Sequence, residues 1–581
     1  MSLGARLLIL AVAIASCTQQ VQLAPDPLVD LVSIELSPQD SQLTITDLSD
    51  PPLTQAYHAI GTFSDGSRRD ITAMLAWSVD NSAPGNFLVP GTFSTSNAAA
   101  GIIGVTATSD GVTATARLTV AIDATIVDAT YPPPNASLFD PAYPITTGGS
   151  NAPALLYPTA GTLFPQGVAR TLFQLALGGA SGAPNDAALL TFDSSVLHIA
   201  VETGADRWDT GTALQSLLAR SDTGSPIAVG VRAAASAAPG MVYAGPTISI
   251  EFEPDLPGGV IYFWSADTSG IVRGALGTSS APALYPPSGC AGCHASSRDG
   301  MQLAMGYSSE TSPLLASIVA STAAPLIDPG QAIAGGWSAY SPDGSMILVA
   351  TAGQLALRDA QTGAPIGGGS GAIALPPGYF ATHPDWSPDG ASVAVAYTQI
   401  APTDLDVQGA SIAILPYSGD GTFGAPSILV PAIGSDNDYF PKFSPDGSYV
   451  AYVHASEPSQ GAASAELELV PAPGGTSGAP IALAAASHAV AGASLGSAAD
   501  AMPSWAPLVG GARAYLAFAS TRPYGAVMAA GGRAQIWVTA IDLASAGSGG
   551  DPSSPAFWLP CQDVTVVNND PVWAPVPIAP Q

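Results

Sequence analysis

Charged residues are scarce in this chain of 581 residues, and positive charge is the scarcest. Asp, Glu, Lys and Arg together make up 10% of the sequence, against about 25% in an average soluble domain. The formal net charge is -29, and Lys442 is the only lysine. Because no cluster of lysine and arginine is available to neutralise a phosphate backbone, the composition argues against a nucleic-acid partner.

Cysteine is also rare, with four residues in the whole chain, which is too few for a disulfide-stapled scaffold. No apolar run reaches the roughly 20 residues that a helix needs to cross a bilayer. The sequence has no His-Glu-x-x-His pair and no phosphate-cradling glycine loop after a strand. These absences favour a function other than catalysis, and they leave the question of enzymatic activity open.

The N-terminus combines one positive charge, Arg6, with an apolar run of nine residues, as in a secretory signal peptide. The run ends in Ile14-Ala15-Ser16-Cys17, which resembles the lipobox of bacterial lipoproteins. The resemblance implies that residues 1–17 are the signal peptide with its lipobox and that Cys17 carries the lipid that anchors the mature chain to a membrane. Thr18 follows instead of aspartate, which by the same resemblance implies the outer membrane, facing the periplasm or the cell surface.

Glycine and proline are abundant, with 62 and 53 residues, which is typical of short strands joined by turns. Residues 30–121 alternate polar and apolar positions in short runs, a pattern that favours an antiparallel sandwich. Residues 61–67, 77–79 and 114–120 resemble bacterial Ig-like group 2 domains. The resemblance implies an Ig-like module that serves as a spacer or adhesive unit, and it does not define a function.

A Pro-rich linker is predicted over residues 122–154, which include Tyr131-Pro132-Pro133-Pro134. Residues 155–255 alternate again in short apolar runs, for example 188–192 and 197–201, which predicts a second β-sandwich. This second segment has no clustered carboxylates of the kind that glycoside hydrolysis needs.

One phrase, Ser-x-Asp-Gly, organises the C-terminal half of the chain. Its copies are Ser297-Arg298-Asp299-Gly300, Ser341-Pro342-Asp343-Gly344, Ser387-Pro388-Asp389-Gly390 and Ser444-Pro445-Asp446-Gly447, followed by the degenerate Ser504-Trp505-Ala506-Pro507 and Val572-Trp573-Ala574-Pro575. The intact copies recur at intervals of 44, 46 and 57 residues, which is close to one four-stranded propeller blade. The repeats resemble those of TolB-type β-propellers, which implies a six-bladed propeller over residues 259–581.

The last degenerate repeat lies too near the C-terminus to supply a whole blade. Its missing strands must come from upstream, and residues 259–286 have the apolar spacing of the second half of the preceding blade. Pairing between this segment and the C-terminus would close the ring and remove exposed sheet edges. A sandwich that extends to residue 280 is the competing prediction.

Cys290-Ala291-Gly292-Cys293-His294 precedes the first repeat and has the spacing of covalent c-type haem attachment. Two thiols on one tight turn can add to the two vinyl groups of haem, and the adjacent imidazole can bind the iron. The motif therefore predicts haem c attached at Cys290 and Cys293, with His294 as the proximal ligand. The alternatives are a disulfide between these two cysteines, or a disulfide from either of them to Cys561.

His383 immediately precedes another repeat, which makes it the candidate for the second iron ligand of a low-spin haem. The alternative for His383 is a packing role beside Trp386. Equivalent loops carry Asp500 and Asp570, which predicts a rim of solvated carboxylates around one mouth of the propeller channel.

The whole combination of modules resembles multidomain surface lipoproteins of Gram-negative bacteria, and two functions follow as hypotheses. In the first, the tethered propeller carries haem c for electron transfer or redox sensing. In the second, the chain is a non-redox binding or scaffold protein of the cell envelope, and the propeller rim binds a protein or glycan partner.

Covalent haem predicts a defined mass and a defined spectrum. Protein exported from a host with haem-maturation machinery should carry the mass of one haem, which Cys290→Ser together with Cys293→Ser should abolish. With His383 as second ligand, His383→Ala should convert a low-spin spectrum to a high-spin one, whereas His454→Ala should not. Intact-mass spectrometry and absorption spectra measure both effects, and a wild-type chain without the added mass eliminates the redox hypothesis.

Overall fold

The computed structural model describes residues 28–577, apart from residues 136, 181–182, 222, 281–282, 285–290, 308–313, 404–405, 460, 475–477, 489–498, 508–510, 512 and 549. The predicted lipidation site Cys17 and the predicted haem attachment site Cys290 lie outside the described residues. Strands make up 49% of the chain and helices 4%, which confirms the predicted all-β class. In the described part of the chain, no helix is long and apolar enough to cross a membrane.

The first ten strands build the first module, the one predicted to be Ig-like. They are β1 (Leu31–Ser37), β2 (Asp40–Ile45), β3 (Thr54–Ala56), β4 (His58–Phe63), β5 (Arg68–Asp70), β6 (Ala76–Val79), β7 (Gly85–Val89), β8 (Thr92–Thr95), β9 (Gly101–Ser109) and β10 (Val112–Val127). Sheets β1-β4-β5 and β3-β8-β7 pack with β2, β6, β9 and β10 around one core. Apolar positions alternate along the strands, so Phe93, Ile103 and Leu118 are buried in that core.

Strand β10 belongs to two modules, because its 16 residues extend beyond the first sandwich. It pairs antiparallel with β9 up to Val120 and parallel with β2 up to Ile122. Residues 122–127 then pair in parallel with residues 197–202 of the next module. The segment predicted as a linker from residue 122 therefore begins as β-strand. Buried and exposed residues continue to alternate along it, so its buried side chains pack on a second core.

The second module comprises the next twelve described strands and one helix. They are β11 (Ile145–Thr147), β12 (Ala154–Tyr157), β13 (Thr162–Pro165), β14 (Leu172–Ala176), β15 (Gly179–Ala180), β16 (Ala183–Pro184), β17 (Ala187–Asp193), β18 (Leu197–Thr203), β19 (Arg207–Asp209), α1 (Gly211–Arg220), β20 (Pro226–Ala234), β21 (Val242–Ala244) and β22 (Ile248–Glu253). Strands β17, β18, β20 and β21 continue through β10 into the first module as one 11-stranded sheet. Phe173 of the sheet β12-β14-β19 packs edge-on against Phe192 of β17, with 5.1 Å between ring centroids, which joins the two layers of the second sandwich.

Helix α1 has no counterpart in the sequence-based expectations. It buries Leu214, Leu217 and Leu218, whose spacing places them on one face. The hydroxyl of Ser221, at its C-terminal end, donates to the Leu217 carbonyl at 2.7 Å and accepts the backbone N–H of Ala100 at 2.8 Å. This contact connects the end of the helix to the first module.

Strands β23 to β45 form six sheets, which are the blades of a propeller. Blade 1 contains β26 (Ala291–Ser296), β27 (Gln302–Tyr307), β28 (Leu314–Val319) and β29 (Ala324–Ile327); blade 2 contains β30 (Trp337–Tyr340), β31 (Met346–Thr351) and β32 (Gln354–Asp359); blade 3 contains β33 (Phe380–Trp386), β34 (Ser392–Thr398), β35 (Ser411–Pro416) and β36 (Ser427–Val430). Blade 4 contains β37 (Asn437–Phe443), β38 (Tyr449–Ala455), β39 (Glu466–Pro471) and β40 (Ile481–Ala482), followed by α2 (Ala484–His488); blade 5 contains β41 (Ala501–Trp505), β42 (Ala514–Ser520), β43 (Gln535–Ile541) and β44 (Phe557–Trp558); blade 6 contains β45 (Asn568–Ala574), β23 (Val260–Ser265), β24 (Gly270–Gly274) and β25 (Ala283–Leu284). The predicted six-bladed β-propeller is confirmed.

The Ser-x-Asp-Gly phrase forms the turn between the first and second strands of blades 1 to 4. In each copy the serine hydroxyl donates to the aspartate carboxylate at 2.6 Å. The same hydroxyl accepts the backbone N–H five residues later, at 2.9 to 3.0 Å. The four glycines have φ between 71° and 75°, a region that favours glycine. The phrase recurs because this turn needs those residue types.

The second module and blade 5 share one hydrophobic core. Phe164 of β13 packs against Phe557 of β44, with 5.2 Å between ring centroids. The Tyr157 hydroxyl accepts the backbone N–H of Trp558 at 2.9 Å. Apolar packing and hydrogen bonding therefore hold the second module against the side of the propeller.

The ring closes where the last strand meets strands that precede blade 1. Strand β45 pairs antiparallel with β23, in a register that places Ile261 opposite Trp573 and Tyr262 opposite Val572. The Trp573 Nε1–H donates to the Gly258 carbonyl at 3.0 Å. The structure thus shows the predicted closure, and the competing prediction of a sandwich extending to residue 280 is wrong, because β23, β24 and β25 belong to blade 6.

Closure by β45 predicts that the C-terminal strand stabilises the whole ring. A chain ending at Val567 lacks β45 and exposes the edge of β23, so its free energy of unfolding should fall by several kcal/mol, about 3 to 5. A chain ending at Pro577 keeps β45 and is the matched control. Urea unfolding followed by tryptophan fluorescence measures both, and equal stability of the two shortened chains would show that closure contributes nothing.

Candidate functional site in the propeller channel

The innermost strands contribute one residue per blade at the same repeat position. We call these six residues the channel ring: Cys293, Trp337, His383, Phe440, Met502 and Asp570. All except Trp337 have positive φ, between 47° and 54°, and strand pairing shifts register at these five places. Such a backbone costs a residue other than glycine on the order of 1 kcal/mol, and a bulge of this kind re-aims a side chain. The recurrence of the bulge indicates that the fold uses it to direct side chains into the channel.

An enclosed cavity of about 20 Å³ lies at the centre of the channel ring. Its walls include Trp337, His383, Phe440, Met502 and Asp570 from the ring, together with His294 and Lys442. A space of this size holds about one water molecule. The two histidines singled out by the sequence are therefore brought to one place, as walls of the same small cavity.

His294 occupies the position at which blades 3 to 6 have a proline after the ring residue. Its side chain is completely buried, and its Nδ1 lies 3.0 Å from Oδ2 of Asp570. The backbone N–H of His294 donates to the same carboxylate oxygen at 3.3 Å. Despite this short distance, neither Nδ1 nor Nε2 has a hydrogen bond among the described residues. This pair connects the first strand of blade 1 to the first strand of blade 6.

His383 is buried among aromatic rings. The Phe440 ring lies 3.9 Å from it and the Trp337 ring 4.9 Å, measured between centroids. Neither ring nitrogen of His383 has a hydrogen-bond partner in the described part of the chain. Burial, with a smaller contribution from Lys442, holds the pKa of His383 well below its usual value, so the imidazole is neutral.

The cavity between His294 and His383 does not fit a porphyrin, because it has room for about one water molecule. Cys293 belongs to the channel ring and is partly buried, whereas Cys290 lies outside the described residues. Haem attachment stays a prediction of the motif, and this conformation offers no space for haem between the two proposed ligands.

Cys561 is buried, and burial raises the pKa of its thiol to about 11. Cys293 and Cys561, both of which are described, are not joined by a disulfide. The disulfides predicted as alternatives at Cys290 lie outside the described residues.

The carboxylates predicted to form a solvated rim are buried instead. Asp500 is 0% exposed, and the Arg522 guanidinium donates to its two oxygens at 2.8 and 3.0 Å. Asp570 contacts His294 as described above. The rim prediction is wrong at these two positions, because the fold supplies each carboxylate with a buried partner from elsewhere in the chain.

Toward the Ser-x-Asp-Gly turns the channel widens into a cavity of about 420 Å³, which we call the outer channel. Its wall includes Trp505 and Trp573 and the charged residues Arg298, Asp385 and Lys442. The Lys442 ammonium lies 3.4 Å from Oδ1 of Asp385. The outer channel therefore holds the only lysine of a strongly acidic chain.

Arg298 reaches across the outer channel from blade 1 and donates to the Trp386 carbonyl of blade 3 at 2.8 Å. In the described residues no carboxylate lies within ion-pair distance of its guanidinium. Apart from the bond to Trp386, its guanidinium N–H groups are available to a ligand.

The sequence analysis did not identify Arg298, Lys442 or Met502 as site residues. A sequence pattern could have revealed Met502. Like His383 and Phe440, it lies six positions before the aspartate position of its repeat and is followed by a proline.

Residues 492–496 match the spacing Gly-x-Ser-x-Gly, but they lie outside the described residues. In the sequence they follow helix α2 instead of the strand that a nucleophile elbow requires.

No protein-family model and no curated protein matches the sequence. Among solved structures, the chain is similar to a putative TolB from Agrobacterium tumefaciens, with 16% identity and a TM-score of 0.30 over 55% of this chain and 100% of that one. It is also similar to TolB from Acinetobacter baumannii, with 13% identity and a TM-score of 0.33 over 61% and 81%. The dihydro-heme d1 dehydrogenase NirN has 19% identity and a TM-score of 0.30 over 53% and 55%. These values carry no functional argument, and the propeller assignment rests on the strand pairing itself.

The contact between His294 and Asp570 predicts a measurable contribution to stability. Asp570→Ala removes the buried partner of the imidazole and of the backbone N–H, so the free energy of unfolding should fall by about 1 to 3 kcal/mol. Asp267→Ala, in the exposed turn after β23, should change it by less than about 0.5 kcal/mol. Urea unfolding measures both variants, and an equal loss in the two would contradict a specific role for the buried pair.

Proposed function

We propose that this protein is a binding protein of the cell envelope whose propeller takes a ligand into the outer channel. The observation that carries the proposal is the cavity of about 420 Å³ with its three tryptophans, Trp386, Trp505 and Trp573, and three charged side chains. Ligand sites commonly have volumes of about 300 to 1,000 Å³ and combine aromatic walls with a few converging polar groups.

The charges of the outer channel favour a ligand that presents a carboxylate. The guanidinium of Arg298 has no acidic partner among the described residues, and its planar fork matches a carboxylate. Lys442 adds a second cation, which lies 3.4 Å from Oδ1 of Asp385. Trp505 and Trp573 offer aromatic surface to the rest of the ligand. Acidic peptides and uronic-acid glycans both present such a carboxylate, so a protein partner and a glycan partner share this chemistry.

The envelope location rests on the N-terminal sequence, since residues 1–17 lie outside the described residues. Lipidation at Cys17 would contribute roughly 0.8 kcal/mol of membrane affinity per buried methylene. An anchored chain of this kind would present its propeller to partners from the surface of a membrane.

A propeller that carries covalent haem c is the second candidate, and the spacing Cys290-x-x-Cys293-His294 is the observation that favours it. The enclosed cavity does not fit a porphyrin, so haem attachment would require blade 1 to begin in a different conformation. The intact-mass measurement described above separates the two candidates, because ligand binding in the outer channel needs no haem.

Binding in the outer channel predicts a saturable change in tryptophan fluorescence. The purified full-length protein is titrated separately with a short polyglutamate peptide and with an oligogalacturonate. Ionic strength is held near 0.15 M, where the Debye length of about 8 Å screens the distant acidic surface. We expect one of the two probes to bind. Binding of the peptide indicates a protein partner, and binding of the oligogalacturonate indicates a glycan partner.

Arg298→Gln and Lys442→Gln are each expected to weaken this binding tenfold or more, because they remove the cations that contact the carboxylate. Arg117→Gln, on the exposed face of β10, is the matched control and should leave the affinity unchanged. The proposal fails if neither probe gives a saturable change, or if the control variant weakens binding as much as Arg298→Gln does.

A further inference from the structure

We propose that the cavity enclosed by the channel ring binds a single copper(I) ion through His294, His383 and Met502. All three side chains line the same space of about 20 Å³, which accommodates one water molecule or one ion. The inference goes beyond the proposed function and does not depend on it, because the ligand groups differ from those that would hold a carboxylate in the outer channel.

The two imidazoles have the surroundings of metal ligands. Oδ2 of Asp570 lies 3.0 Å from Nδ1 of His294, and neither ring nitrogen of His294 has a hydrogen bond to a described residue. Histidines that bind metals usually donate their other ring N–H to a carboxylate or a carbonyl. His383 is 4% exposed, and both of its ring nitrogens lack a described partner. Buried polar groups without partners are rare, and a bound ion is one physical explanation for them.

The structure also holds these ligands in place before any ion binds. Phe440 and Trp337 pack on the imidazole of His383 at 3.9 and 4.9 Å between centroids, which restricts rotation of the ring. His383 and Met502 both have positive φ, at 49° and 54°. Backbone strain of this kind persists where the surrounding structure enforces it, and it is concentrated at functional sites.

The set of ligands selects the metal. Within the described residues, no three His, Cys, Asp or Glu side chains form a group that could hold a metal ion. The usual zinc ligand set is therefore missing there, and a third ligand has to come from the Met502 thioether. Imidazole and thioether together suit copper(I). Lys442 and Asp570, one residue of each charge sign, also line the cavity, and a monovalent ion adds only one positive charge there.

Anaerobic competition with a chromogenic copper(I) chelator measures binding to the purified full-length protein. We expect one ion per chain, and a loss of affinity of at least tenfold in His383→Gln and in Met502→Leu. The matched controls are His198→Gln and Met74→Leu, which change exposed residues of the N-terminal modules and should leave the affinity unchanged.

The thiols of Cys290 and Cys293 are the competing ligands for copper(I). The double variant Cys290→Ser, Cys293→Ser should keep the ion, and X-ray absorption at the copper edge should show both nitrogen and sulfur neighbours in that variant. The sulfur neighbour should then disappear on addition of Met502→Leu, a substitution that nearly conserves side-chain volume.

Three results would overturn the proposal: no binding to the wild-type chain, loss of the ion in the double cysteine variant, or a copper spectrum of that variant without sulfur. Urea unfolding of every variant shows whether a loss of affinity reflects a loss of structure. The spectrum of the double cysteine variant tests the thioether even if Met502→Leu proves unstable.

Discussion

The pairing of β45 with β23 is the interaction on which the rest of the structure depends. It joins segments separated by more than three hundred positions, as in the hydrogen bond from Trp573 to Gly258 with a separation of 315. Without this pairing, blade 6 loses its first strand and the ring has two exposed edges. The conformational entropy of closing so long a loop opposes the contact, and the apolar packing of Tyr262 and Ile271 of blade 6 with Leu303 of blade 1 offsets it.

Closure also determines how the N-terminal modules are held. Strand β23 follows β22 of the second module directly, so the strand that closes the ring leads out of that module. The core of the second module continues into blade 5 through Phe164 and Phe557. The 16 residues of β10 cross the boundary between the first two modules in one extended strand. The three modules are therefore packed against their neighbours, which differs from a chain of domains joined by flexible linkers.

In the propeller, the residues that build the scaffold differ from the residues that define the site. Serine, aspartate and glycine of the repeat form the turns and recur with little change, because their hydrogen bonds are local. The ring residue differs in every blade, and in five of the six blades a bulge directs that one side chain inward. A single substitution per blade can therefore change the chemistry of the channel while the turns that hold the blades stay the same.

The sequence by itself determined the blades, because the repeat encodes a turn whose hydrogen bonds span five residues or fewer. The closure of the ring was also predictable from the sequence, because an incomplete last blade requires strands from upstream. The sequence further identified His294 and His383 as candidate site residues, and both line one cavity.

Only the tertiary structure decided which residues meet there. The extension of β10 depends on a partner strand that begins at Leu197, and the burial of Asp500 depends on Arg522. Met502 and Asp570 meet His294 only when six blades close around one axis. Contacts of that kind join residues far apart in the chain, and no local pattern of residue types specifies them.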